Sequence, residues 1–368
     1  MKLKKTIFTL FVIAAALVIL LKSDAVRASV ASAVESCLVS VVPSLMTFMT
    51  VATFISNSAC SDVIGKLLGR PIGLLFHLPK ECAKTVILSM LGGYPCGAKL
   101  ISDMLKRGEI DTNTAQRMLR FCINASPAYV VSAIGTGLFG SARIGAVICF
   151  AHLFSAVLIG LFSRSKKTPP TLTVKTKTMG FADCFVKSVL DSTNAMLCIS
   201  GFTITFSTIL TLLNETGITT FFVSLLTPLT NNAETSRAVL HVLFDVVSGS
   251  QSCINCPPMT AVLLCAAAVS LGGISILAQV MSYFSGHRIN FFEIVLFRLL
   301  HAVLTVAITY IIIGITDTDI ATAYMLGTNT EQTSNGFVST ALFLLCCMCF
   351  AITADKNISL LLQRRKRK

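Results

Sequence analysis

Residues 92–102 read Gly-Gly-Tyr-Pro-Cys-Gly-Ala-Lys-Leu-Ile-Ser, a glycine and proline interruption inside an otherwise apolar sequence. In a bilayer every backbone amide and carbonyl needs a partner within the protein. Irregular backbone therefore survives there only when it is packed in protein or lines a cavity. A weaker copy begins 180 residues later, Gly-Gly-Ile-Ser-Ile-Leu-Ala-Gln-Val-Met-Ser at 272–282. Four of eleven positions are identical: Gly92/Gly272, Gly93/Gly273, Ala98/Ala278 and Ser102/Ser282. Paired interruptions in the two halves of a membrane chain point to a transport site. Two tight glycine packings, or two tight loops, are the plainer explanation of the same pattern.

The rest of the chain agrees with a membrane protein. Its 368 residues are 54% hydrophobic and 13% charged, with a mean hydropathy of +0.79. Soluble domains carry roughly 25% charged residues. The net charge of +13 is concentrated rather than spread. Thirteen of 30 Lys and Arg lie at Lys2, Lys4 and Lys5, at Arg164, Lys166, Lys167, Lys175 and Lys177, and at Arg364, Arg365, Lys366, Arg367 and Lys368. Each cluster flanks an apolar run, as cytoplasmic anchors do. That distribution argues for topology and against nucleic acid as a partner. Most of the 14 cysteines lie inside apolar runs, where cysteine acts as a small hydrophobe. The Cys253–Cys256 CxxC has no nearby histidine pair, so no metal or redox centre is expected from it.

These patterns predict an all-α polytopic membrane protein of about 8–10 transmembrane or re-entrant helices, in two related halves with broken helices. Residues 1–29 hold a signal-anchor helix and 30–163 the first membrane half. A basic cytoplasmic linker covers 164–182, and 183–316 form the second half. An outward loop at 317–336 has acidic residues but no Lys or Arg; a last transmembrane helix and basic tail occupy 337–368. Both termini are expected in the cytosol. Segment 85–101 is expected to dip in and return as a re-entrant hairpin, because basic residues precede and follow it.

Side chains at the interruptions suggest chemistry. Pro95 and Gly97 should end one helical stretch and start another at Ala98, making a helix N-terminus where anions bind. Lys99 would lie in its first turn and seek an anionic partner, or else snorkel to the surface. Asn124, Ser126 and Pro127 make a second break, or a plain proline kink. His241 and Asp245 are four apart, on one helical face, followed by a polar, unwound Ser248–Ser252. They could pair with each other or, with His301, couple protons. Arg120 and Arg298, one per half, would suit a dicarboxylate, while Arg120 could equally be an interfacial anchor. Gln279 falls in the second interruption.

Gly92–Leu100 resembles the glycine-tyrosine-proline-x-glycine-alanine-lysine signature of the YlbJ/SpoVV group of sporulation integral membrane proteins. Asn124-Ala125-Ser126-Pro127 followed by Gly135 and Gly137 is similar to its next signature, and Gly272–Val280 with Arg298–Ala302 to its second-half signature. The family often has Gly-Leu-Ser-Val-His where this chain has Gly273-Ile274-Ser275-Ile276-Leu277, so it lacks that histidine. The resemblance, over roughly 30–315, implies nucleoside-recognition (Gate) halves and transport of a small anionic solute, dipicolinic acid, across the outer forespore membrane. Apart from the resemblance, the reading of the interruptions makes Gly92, Gly93, Tyr94, Pro95, Gly97, Lys99, Asn124, Ser126, Gly272, Gly273, Gln279, Arg120 and Arg298 the expected substrate-binding residues. A nucleoside or nucleobase permease and a non-transporting scaffold stay open as alternatives. No P-loop, HExxH or GxSxG occurs, so neither an enzyme nor a cofactor is expected; the partners expected are lipid and the solute.

Overall fold

In a computed structural model, residues 2–58, 60–165 and 180–316 are described. The expected outward loop, last transmembrane helix and basic tail, and most of the linker, lie outside these residues. The described residues form fifteen α-helices and no strand.

The N-terminal arm is α1 (Lys2–Leu21) and α2 (Ser23–Ser36), running through a π-helical turn, Cys37–Val41, into α3 (Val42–Asn57). The expected boundary after residue 29 falls inside α2. Leu10, Val12, Ile13, Leu17 and Leu20 of α1 are exposed, as suits a helix facing lipid. There follow α4 (Cys60–Phe76), α5 (Ala83–Leu91), α6 (Tyr94–Lys106) and α7 (Thr112–Leu119). A π-helical segment, Tyr129–Leu138, then leads to α8 (Ala142–Phe162). The second half contains α9 (Phe181–Glu215), α10 (Ile218–Thr230), α11 (Ala233–Phe244) and α12 (Val246–Ser252). It ends with α13 (Pro258–Leu271), α14 (Gly273–Tyr283) and α15 (Phe291–Thr316).

Among the described residues, four runs are long and apolar enough to cross a bilayer: Ala142–Phe162, Phe181–Glu215, Pro258–Tyr283 and Phe291–Thr316. Helix α3 packs along α9, and α8 packs against α15. These two contacts tie the halves together.

Local chemistry explains several helix ends. The carboxylate of Asp111 accepts from the Thr114 amide at 2.9 Å, and Asn232 Oδ1 accepts from Thr235 at 2.9 Å. Such caps satisfy amides that have no partner within the helix. Gly93 has φ 83°, Gly272 77° and Gly273 67°, a left-handed region glycine enters without cost.

The same order of elements occurs twice. A pair of helices folds back on itself (α5 with α6, α11 with α12), an interrupted helix follows (α7 with the π-helical segment, α13 with α14), then a long helix (α8, α15). In the first pair Thr85 Oγ1 lies 3.1 Å from the Met104 sulfur and donates to it. In the second, a Cβ on Gly249 would come within 2.7 Å of the Val242 backbone. The two glycine motifs thus occupy different places: Gly92–Gly93 is a hairpin tip, whereas Gly272–Gly273 bends a continuous 26-residue run.

Candidate functional site: a cavity where the helix breaks meet

The first break falls earlier than the sequence suggests. Helix α5 ends at Leu91 and α6 begins at Tyr94, four residues before Ala98. Proline at the second position of a helix costs no intrahelical bond, so Pro95 starts the helix rather than stopping it. Lys99 is therefore in the second turn. Gly97 lies inside α6, where its missing side chain lets the Cys122 carbonyl approach.

Asp245 makes a break the sequence did not announce. It is extended (φ −151°, ψ 141°) between α11 and α12, so it does not share a helical face with His241. Its Oδ2 accepts from the Val247 and Ser248 amides, both at 3.0 Å. That cap winds Val246–Ser252 into a helix where an unwound stretch was expected. Gly273 fits against this turn: a Cβ there would lie 2.9 Å from the Asp245 nitrogen and the Phe244 carbonyl.

The breaks converge. A small cavity is lined by Tyr94 and Pro95 from the first hairpin tip and by Ser126 and Tyr129 from the interrupted helix. Asp245, Val246 and Val247 from the second tip, Ile276 from α14, and Ile199 and Thr203 from α9 complete it, with Val41 and Leu45 on the remaining wall. Ser126 Oγ accepts from the Tyr129 amide at 3.1 Å, restarting the helix after Pro127. Tyr94 is held by its hydroxyl, which donates to the Val269 carbonyl at 2.5 Å. Asp245 is 1% exposed, and its Oδ1 has no hydrogen-bond partner.

Behind this wall lies a buried polar network. Arg298 on α15, 1% exposed, donates through Nη1 to Ile123 O and to Ser270 O at 3.3 Å, and through Nη2 to Arg120 O at 3.0 Å. It thus satisfies carbonyls freed at both interruptions. His152 Nε2 accepts from the Ala125 amide at 3.0 Å, and its Nδ1 lies 2.9 Å from Ser270 Oγ, which donates to Thr305 Oγ1 at 2.8 Å. This pattern places the His152 proton on Nδ1. His301 donates from Nε2 to the His152 carbonyl at 2.9 Å, and the two rings stack at 4.5 Å. His152 was missed from the sequence, although a lone histidine inside an apolar span is itself a signal.

The remaining sequence-predicted residues distribute as follows. Asn124 donates to the Phe121 carbonyl at 2.9 Å and Gln279 to Ser275 Oγ at 3.4 Å; the amide oxygens of both are buried without partners. Arg120 pairs with Glu293 at 2.5 Å and lies 4.9 Å over the Phe297 ring. Lys99 faces a second, smaller pocket with Thr53, Ser56 and Asn57, where it meets Asp103 at 2.9 Å and Asp191 of α9 at 3.4 Å. Its charge is thus met from within the protein. Among the described residues, no Lys or Arg lines the main cavity.

The Lys99 cluster gives a direct test. Lys99→Met leaves two partly buried carboxylates facing each other and should cost about 2 kcal/mol of stability. Thermal unfolding in detergent should show the loss. Adding Asp191→Asn should recover part of it.

The fold and site define an all-α, multi-pass membrane protein with a mostly apolar internal cavity that carries the Asp245 carboxyl group. The chain is 24% identical over 291 residues to "Sporulation integral membrane protein YlbJ" of Bacillus subtilis (strain 168), covering 72% of this chain and 71% of that protein. The chain is thus similar to a sporulation integral membrane protein along most of its length. No protein-family model matches the chain, and no solved structure does.

Proposed function

We propose that the protein is a membrane carrier for a small solute with a flat ring and carboxylates, most simply dipicolinate during sporulation. The observation that carries this reading is the cavity at which both hairpin tips and both interrupted helices meet. Tyr94 and Tyr129 offer ring faces. The starts of α6, of the π-helical segment and of α14 bring positive helix ends toward the cavity, which favours anions. Arg298 lies behind the wall with no carboxylate partner among the described residues, bonded to carbonyls only, so its charge is not cancelled locally. The two repeats of hairpin, interrupted helix and long helix are read as related halves; His152 and His301, 149 residues apart, occupy matching long helices and stack.

A nucleoside or nucleobase permease is the second reading. It is favoured by the unpartnered acceptor oxygens of Asp245, Asn124 and Gln279, which suit donor groups on a neutral base. A non-transporting scaffold is the third, and binding of neither solute would favour it. Binding of dipicolinate and of uridine to the purified protein separates the three. Dipicolinate is expected to bind and uridine not, and Tyr94→Ala should weaken dipicolinate binding at least tenfold, about 1.4 kcal/mol. Uridine binding alone would overturn the choice. In cells, loss of the protein should give spores poor in dipicolinate while its synthesis continues.

The site of action read here is the outer forespore membrane, with both termini in the cytosol. Cysteine labelling at residue 368 should report the cytosolic side and labelling at 322–332 the opposite side. The reverse pattern would refute this orientation.

A further inference from the structure

Among the described residues, Asp245 is the one acidic or basic residue on the cavity wall. Oδ2 is committed to the α12 cap, and Oδ1 is buried and unpartnered. The groups that face it from the surrounding elements are neutral. They are Cys37 from the π-helical turn before α3, Tyr94 from the first hairpin, Tyr129 from the interrupted helix, Ser248 from α12 and Ser275 from α14. His241 contributes only its backbone carbonyl, which accepts the Asp245 amide at 2.9 Å. Arg298 spends its bonds on carbonyls. A carboxylate so placed and a bound dianion exclude each other by charge, whereas a carboxylic acid and a dianion attract through one hydrogen bond.

We propose that Asp245 is the proton-binding residue of the cavity, taking up a proton at Oδ1 as an anionic solute enters and releasing it as the solute leaves. An O–H bond forms at Oδ1 with a proton from the solution on the loading side. That hydroxyl donates to a carboxylate of the solute. The bond breaks on the unloading side and returns the proton to water there, so one proton moves with each solute. The inference rests on the carrier reading above.

Asp245→Asn is the informative variant, because asparagine also caps helices through its side-chain oxygen and so preserves the turn. In proteoliposomes held at zero membrane potential, with dipicolinate as probe, the wild type should accumulate solute up to about tenfold per unit of inward pH difference. Asp245→Asn should lose that accumulation, and its solute exchange should no longer vary with pH. Accumulation by the variant, or wild-type uptake indifferent to the gradient, would overturn the proposal. Infrared spectroscopy of the purified protein without solute gives a separate readout. A protonated-carboxyl carbonyl band should disappear as pH rises in the wild type and be missing in the variant. If the band titrates but dipicolinate does not move, the proton site stands and the carrier reading fails. If no such band occurs at any pH, the proton site is refuted whether or not transport occurs.

Discussion

Arg298→Gln should be the most damaging single substitution in the membrane core, lowering stability by about 3–5 kcal/mol. The side chain is fully buried and bonds Arg120 O, Ile123 O and Ser270 O, carbonyls left free where two separate helices are interrupted. Glutamine is too short to reach all three and has one donor group in place of a fork. In lipid no water can take over those carbonyls, so the interruptions would have to rewind or shift. Arg298→Lys keeps the charge but loses the planar fork, and should recover little. The measurement is the yield of monodisperse protein after detergent extraction, with unfolding temperature for whatever survives. Near-wild-type stability of Arg298→Lys would show that charge, not carbonyl geometry, is what matters.

Gly97→Ala should come close behind, at about 3 kcal/mol, the upper end of overpacking costs. A Cβ at this position would lie 2.0 Å from the Cys122 carbonyl and 2.9 Å from Ser89 Cβ. The obstacle is backbone on one side and the partner helix of the hairpin on the other, so neither can swing away. The hairpin tip carrying Tyr94 and Pro95 should be displaced from the cavity, and solute binding should fall with stability. Gly201→Ala on α9 is the matched control, since a Cβ there meets nothing within 4 Å. Equal behaviour of the two variants would remove the close-approach argument.

The breaks at Gly92–Gly93, Asn124–Pro127 and Gly272–Gly273 were legible in the sequence because glycine and proline act locally, on φ and on the amide. That Asp245, Arg298 and His301 stand out was legible for an equally general reason: ionisable groups inside apolar runs are costly. What those groups touch was not legible. Lys99 looked like a cation awaiting a ligand until folding brought Asp191 to it from another half of the chain. Arg120 and Arg298 looked like a pair of carboxylate clamps, and instead one meets Glu293 while the other holds backbone carbonyls.

The turn at Asp245 has no glycine or proline to mark it. It exists because its own carboxylate caps α12 and because Gly273, from a different helix, leaves room for it. The sequence by itself determined that the chain is a helical membrane protein with interrupted helices, since hydropathy and backbone freedom are properties of short segments. Only the tertiary structure decided that two hairpin tips and two interruptions share one cavity, and which charges face it. Those facts depend on contacts between residues 92 to 181 positions apart, which no local pattern encodes.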